Sequence, residues 1–157
     1  MPIRAGADTR DRLMSTGVSG ASLDSVRSLL EAPSPAVLTT YRKDGSANVS
    51  PVWFRAHENA LEVVVAEGDA KLTHLRRDPR CGLLVFEAVR PFRGLKISGD
   101  AEIIEGDATE ARTAIAGRYL GEADGMRFAA ERTKPGVIVR LRIDEPRVWD
   151  LTGILPS

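Results

Sequence analysis

Only one cysteine, Cys81, occurs in the 157 residues of this chain, which excludes an internal disulfide framework and a multi-cysteine metal site. It heads the apolar run Cys81 to Phe86 and reads as a buried structural thiol rather than a nucleophile. Histidine is almost as scarce. His57 falls in the polar turn His57-Glu58-Asn59 and His74 in a helical stretch, and neither has a partner at a metal-ligand spacing. No serine sits in a strained strand-to-helix elbow, so nucleophilic hydrolysis has no framework. Net charge is missing too, with 22 lysine plus arginine against 22 aspartate plus glutamate. No field is therefore expected to gather nucleic acid or an anionic membrane. No apolar run approaches the roughly 18 residues of a membrane span. Residues 1–20 carry Arg4, Asp8, Arg10, Asp11 and Arg12 with three glycines, and they lack the apolar core of a signal peptide. The expectation is a cytoplasmic protein with a loose tail over 1–20 and a single domain over 21–157.

What the chain does contain is enough apolar residue, 43%, to bury one sizeable core. Ser22 is positioned to cap a short helix in which Leu23, Val26 and Leu30 share a face, with Pro33 and Pro35 ending it. Strands dominate the remainder. Ala36 to Tyr41 and Ala47 to Phe54 flank Lys43-Asp44-Gly45-Ser46, and an Asp-Gly between apolar runs predicts a hairpin. Leu61 to Ala66, Cys81 to Glu87, Val137 to Ile143 and Arg147 to Leu151 read as further strands. Arg93 to Glu105 alternates apolar and polar residues over a length of roughly 40 Å, too long for one flat sheet. Gly99 near its middle predicts a bend that lets the two halves pair with different neighbours, the way small antiparallel barrels close. Asp107-Ala108-Thr109-Glu110 opens a helix to about Leu120, stopped by Gly121, and a weaker helix is expected from Asp124 to Arg132. The fold class expected is mainly β with flanking helices (α+β): a six- to seven-stranded antiparallel split β-barrel.

Two stretches carry the chemistry. In Gly68 to Arg80, Asp69 caps a helix, Leu72 and Leu75 share its inner face and Pro79 stops it. Lys71 then stands in the first turn, where the helix dipole disfavours a cation by roughly 0.3–1 kcal/mol. A bound phosphate reverses that sign, because N–H groups and ammonium converge on it. The same residues, with Arg76 and Arg77, also read as a solvated basic face, and on this stretch alone both readings stand. The second stretch is Asn48 to Arg55. Pro51 cannot donate to a ladder, so the strand is an edge or leaves a gap in pairing. Free backbone groups beside Trp53 and Phe54 suit the polar rim and the face of a flat heterocycle, or else belong to a plain edge strand with two core aromatics. Aspartates and glutamates are scattered, so no paired-carboxylate mechanism is supported. Hard chemistry, if any, falls to a cofactor.

The ordered set Ala36-Val37-Leu38-Thr39-Thr40, Asp44-Gly45, Val49-Ser50-Pro51-Val52-Trp53-Phe54, Ala70-Lys71, Leu75-Arg76-Arg77-Asp78-Pro79-Arg80 and Gly99-Asp100-Ala101-Glu102 resembles the pyridoxamine 5'-phosphate oxidase-like split-barrel flavin and deazaflavin oxidoreductases, from about Ser25 to Leu151. The resemblance implies a homodimer with two cofactor sites between subunits. It implies that Ser50, Pro51, Val52, Trp53, Phe54 and Arg55 run along the ring and ribityl chain, that Val64 and Val65 contribute from the next strand, and that Lys71 binds phosphate. Arg93 and Gly94 would approach from the long strand, from the other subunit, and Trp149 would lie near the flavin.

Departures narrow the expectation. Asp69-Ala70 precedes the lysine where tight FMN binders often carry an arginine or a second polar residue. The chain ends soon after Trp149, without the longer basic segment that holds pyridoxal phosphate, so pyridoxamine phosphate oxidation itself is not expected. Leu75 to Arg80 and the Ala- and Arg-rich composition look most like members that use coenzyme F420. The resemblance thus implies hydride transfer between F420 and an unsaturated or heterocyclic small molecule, with no catalytic side chain and no metal. The alternatives are an FMN-dependent oxidase or reductase and a non-catalytic flavin- or haem-binding module. The dimer partner and the segment Gly121 to Lys134 are expected to line the acceptor pocket.

Overall fold

The structure is a computed structural model that describes residues 21–157; the expected N-terminal tail lies outside the described residues. A 3₁₀ turn, Leu23–Val26, runs into the short helix α1, Arg27–Glu31. Ser22 makes no side-chain cap there. Ser25 donates both its N–H and its hydroxyl to the Ser22 carbonyl instead, at 3.0 and 2.6 Å, and so closes the first turn from inside.

β1 (Ala36–Tyr41) and β2 (Ala47–Val52) form the hairpin that Asp44-Gly45 predicts. Its turn is fixed by the Asp44 carboxylate, which accepts from the N–H and hydroxyl of Ser46 at 2.9 and 2.6 Å. The strand expected over Ala47 to Phe54 breaks after Val52, and Arg55–His57 forms a separate strand, β3, in another sheet. Phe54 turns that corner with its side chain fully buried. β4 (Ala60–Ala66), α2 (Ala70–Arg77), β5 (Arg80–Phe86), β6 (Gly94–Asp100) and β7 (Glu102–Ile104) follow. Two helices, α3 (Thr109–Leu120) and α4 (Glu122–Ala130), precede β8 (Gly136–Arg142) and β9 (Arg147–Trp149).

The nine strands of the described residues make two antiparallel sheets, ordered β2-β1-β5-β6-β9 and β3-β4-β8-β7. This is the split barrel, with nine strands rather than the six or seven expected, because Arg55–His57 forms a short strand of its own and the run Arg93 to Glu105 divides into β6 and β7. The run from Arg93 to Glu105 changes sheets as foreseen, but it does so at Ala101. Gly99 stays in register opposite Cys81, and the Ala101 N–H makes the last bond of the β5–β6 ladder, to the Pro79 carbonyl opposite it at 2.7 Å, where proline has no N–H to return. Beyond that point β7 pairs with β8. Alternation places Leu38, Leu83, Val85, Leu95 and Ile97 of one sheet against Leu61, Val63, Val139 and Leu141 of the other, and Leu72 and Leu75 of α2 join the same core. Cys81 is buried there, and burial pushes its thiol pKa up to about 12, so it stays protonated and inert at neutral pH. The opposite face of the five-stranded sheet carries Val37, Tyr41, Val49, Leu84 and Lys96 and holds a shallow cavity of about 600 Å³.

The close approaches at Gly94 and Gly125 depend on glycine. The Trp149 ring lies so near Gly94 that an added Cβ would fall 2.2 Å from it, which lets β9 seal the edge of β6. Gly125 of α4 abuts Gly117 of α3, where a Cβ would come within 2.5 Å of backbone. This crossing sets how α4 lies over the groove described below. Gly125→Ala must push the helices apart, and overpacking of this kind costs about 1–3 kcal/mol. Urea unfolding should show a lower midpoint for Gly125→Ala at unchanged slope.

Candidate functional site

α2 begins where the sequence places it. The Asp69 carboxylate accepts from the Lys71 N–H at 2.8 Å as an N-cap, and its second oxygen lies 3.3 Å from Lys71 Nζ. Partial burial pushes the Asp69 carboxyl up, but the Lys71 N–H and ammonium outweigh it and hold the group below the ordinary carboxylate range. At the C-terminal half of the helix His74 Nδ1 meets the hydroxyl of fully buried Thr40 at 3.0 Å, which satisfies the core threonine. His57 is exposed at the end of β3. Among the described residues no group of three histidine, cysteine or acidic side chains could hold a metal.

Lys71 opens into a cavity of about 280 Å³ whose walls include Pro51, Val52, Trp53, Val64 and Val65, with Arg112 of α3 and, from α4 and the turn after it, Phe128 and Arg132. A second cavity, of about 730 Å³, shares Pro51, Val52, Trp53 and Phe128 and is otherwise lined by Pro33, Pro35, Phe86 and Tyr119, among others. The two meet along Pro51–Trp53 and form one groove, cationic at the Lys71 end and apolar at the other. β2 has a neighbour, β1, on one side only, so Pro51 sits on the edge strand that its missing N–H demands. Ser50 shares a face of β2 with Val52, and its Oγ is buried without a hydrogen-bond partner among the described residues. An orphaned hydroxyl beside an open strand edge is the kind of group a polar ligand satisfies.

Aromatic packing shapes the wall. Trp53 stacks on Tyr119 with ring centroids 5.0 Å apart and 8° between planes, and Phe128 meets it at 5.3 Å. Backbone locks hold that wall in place. The Tyr119 hydroxyl donates to the Ser34 carbonyl at 2.9 Å and accepts from the Phe54 N–H at 3.4 Å. Arg118 donates to the carbonyls of Phe54, Leu30 and Ala32, and its guanidinium lies 4.6 Å over the Phe54 ring. Burial lowers the Arg118 pKa and raises that of Tyr119.

The structure therefore brings together Pro51, Val52, Trp53, Val64, Val65 and Lys71, with Ser50 alongside. It does not bring the remaining expected residues to the groove of the same chain. Phe54 faces the core. Arg55 is engaged by Glu62 at 2.9 Å and Glu110 at 2.8 Å. Arg93 is held by Glu87 at 2.8 Å and by the Ser25 carbonyl at 3.0 Å. Gly94 is covered by Trp149, and both lie on the sheet that ends in β9. Phe128 and Arg132 belong to the Gly121–Lys134 segment expected at the acceptor pocket, although neither was singled out there, while Arg112 and Tyr119 of α3 were not expected. The sequence signal that held them is the helix pair between β7 and β8, whose fold-back onto Trp53 no local pattern reveals.

The pyridoxamine 5'-phosphate oxidase family pattern matches residues 22–150. The chain belongs to this family. No curated relative matches it. Among solved structures it is similar to a conserved hypothetical protein from Mycobacterium tuberculosis at 23% identity and a TM-score of 0.72, covering 87% of this chain and 90% of that one. An F420 reductase is 26% identical with a TM-score of 0.57, over 77% of this chain and 94% of the other. A haem-storage protein from Vibrio cholerae is 16% identical with a TM-score of 0.62, over 81% and 94%.

Proposed function

We propose that the protein is a deazaflavin-dependent oxidoreductase in which coenzyme F420 lies along Pro51–Trp53 of a homodimer and exchanges a hydride with an unsaturated or heterocyclic small molecule. The observation that carries this reading is the groove itself, apolar and aromatic at one end and cationic at the other, running along the open edge strand β2, on which the neighbouring Ser50 hydroxyl is buried without a partner among the described residues. When bound, the deazaflavin ring supplies the hydride. The chain's own residues bind and orient: Trp53, Phe86 and Tyr119 exclude water from the ring end, Ser50 and the β2 backbone offer polar contacts along the edge, and Lys71 meets the phosphate.

Asp69 weighs against FMN as the habitual cofactor. It already neutralises Lys71, so a ligand held by one phosphate alone gains less there than it would beside an unpaired lysine. The 26% identity to an F420 reductase agrees with that preference. Parallel titration of the purified protein with F420 and FMN tests it. Tighter F420 binding is expected, and a yellow protein that keeps FMN through purification would contradict it. A storage or sensing module differs in outcome, since bound reduced cofactor would then pass hydride to no acceptor in a screen.

Dimerisation would use the outer face of the five-stranded sheet, where Val49 is 62% exposed beside Val37 and Leu84. A second copy on that face would bring its own Arg93, Gly94 and Trp149 toward the groove, as the family resemblance implies. Val49→Asp should yield a monomer by light scattering where the parent is a dimer; a parent that is monomeric at micromolar concentration would refute the assembly. Lys71→Ala should weaken cofactor binding by about 0.5–1.5 kcal/mol, less than a full charge-assisted contact because Asp69 already pairs with the ammonium. Equal affinities of parent and variant would remove Lys71 from the site.

A further inference from the structure

Charge in the Lys71 cavity is not where the helix-start pattern locates it. Lys71 and Asp69 together are neutral, and Asp69 already occupies both the first-turn N–H and the ammonium. The uncompensated charge sits on Arg112 and Arg132, which line the same cavity. Elsewhere in the described residues several arginines have carboxylate partners: Arg55 with Glu62 and Glu110, Arg76 with Glu67, Arg80 with Asp78, Arg93 with Glu87, Arg127 with Asp124 and Arg140 with Glu58. Arg112 and Arg132 have none among the described residues.

Both are nevertheless held in place by uncharged contacts. Arg112 Nη2 donates to the Lys134 carbonyl at 3.0 Å, and the guanidinium lies over Gly136, where a Cβ would come within 2.7 Å of that nitrogen. Arg132 stacks over the Phe128 ring at 4.2 Å. A guanidinium carries five N–H donors in a fixed plane, and stacking leaves those donors free at the edge. Two positioned guanidiniums with open donors, beside a neutral Lys71–Asp69 pair, give the cavity two net positive charges. That suits a ligand end carrying about two negative charges, whether a phosphate monoester or a phosphodiester with a carboxylate beside it.

We propose that Arg112 and Arg132, presented by the α3–α4 hairpin, are the principal anion-binding residues of the groove, and that Asp69 attenuates the part played by Lys71. The ligand class is a small molecule whose polar end bears a phosphate and about two negative charges in all. This rests on the reading of the groove as a cofactor site and specifies which atoms meet the cofactor's charge.

The test is calorimetric titration with inorganic pyrophosphate at low ionic strength, followed by FMN, riboflavin and F420 on the same proteins. The parent should bind pyrophosphate. Arg132→Gln, which alters an exposed side chain beyond α4, should weaken it about tenfold, and the Arg112→Gln, Arg132→Gln double variant should abolish it, with circular dichroism unchanged. Asp69→Asn keeps a good N-cap and removes the charge that occupies Lys71, so it should tighten pyrophosphate and FMN at least threefold and leave riboflavin unmoved. Failure of the parent to bind pyrophosphate, or arginine variants that bind it as the parent does, would overturn the assignment. Pyrophosphate bound with this variant pattern, but neither F420 nor FMN, would support the anion site and refute the cofactor reading. Cofactor bound equally by parent and arginine variants would overturn the anion site and leave the cofactor reading in place.

Discussion

The bridge from Arg118 and Tyr119 to the Phe54 backbone is the constraint on which the site depends. The chain must leave one sheet after Val52 and enter the other at Arg55, and a corner between sheets exposes backbone groups that need partners. Arg118 takes the Phe54 carbonyl, and Tyr119 takes its N–H. The same two side chains hold the carbonyls of Leu30, Ala32 and Ser34. One turn of α3 thereby ties the end of α1, the corner between the sheets and the helical hairpin to each other. With the corner fixed, Phe54 points into the core and its neighbour Trp53 outward onto Tyr119. The aromatic wall follows from the satisfaction of a few backbone groups.

Where local chemistry decides the outcome, the sequence was sufficient. Asp44-Gly45 announced the hairpin, Asp69 the cap and Pro51 the edge strand, because each acts on its own backbone or on a neighbour within a few residues. The two-sheet path of the chain was legible from the length and alternation of residues 93–105. Its crossover residue was not, because the change of sheet comes where the β5–β6 ladder runs out opposite Pro79, a partner that the alternation of residues 93–105 does not name. Phe54 shows the same limit. Alternation alone cannot say that a strand ends two residues early, and here the Arg118 and Tyr119 contacts determine it from 64 and 65 residues away.

The cationic end of the groove gives the clearest contrast between local and tertiary information. Lys71 was legible because a lysine in the first turn of a capped helix has a local cost that asks for an explanation. Arg112 and Arg132 carry no such cost in sequence and become visible only when the Gly117–Gly125 crossing lays α4 against α3. The barrel of this chain thus provides the strand edge and Lys71, while its helical hairpin supplies Tyr119, Phe128 and the two guanidiniums. Specificity is expected to reside in that hairpin, the element least determined by the barrel.

The central claim, that Pro51–Trp53 forms the floor of a cofactor groove, is tested most directly by the fluorescence of Trp53 in a Trp149→Phe protein titrated with F420. The account predicts saturable quenching at one equivalent per chain, since the Trp53 ring lines both halves of the groove. Cofactor binding that leaves Trp53 emission unchanged would contradict it.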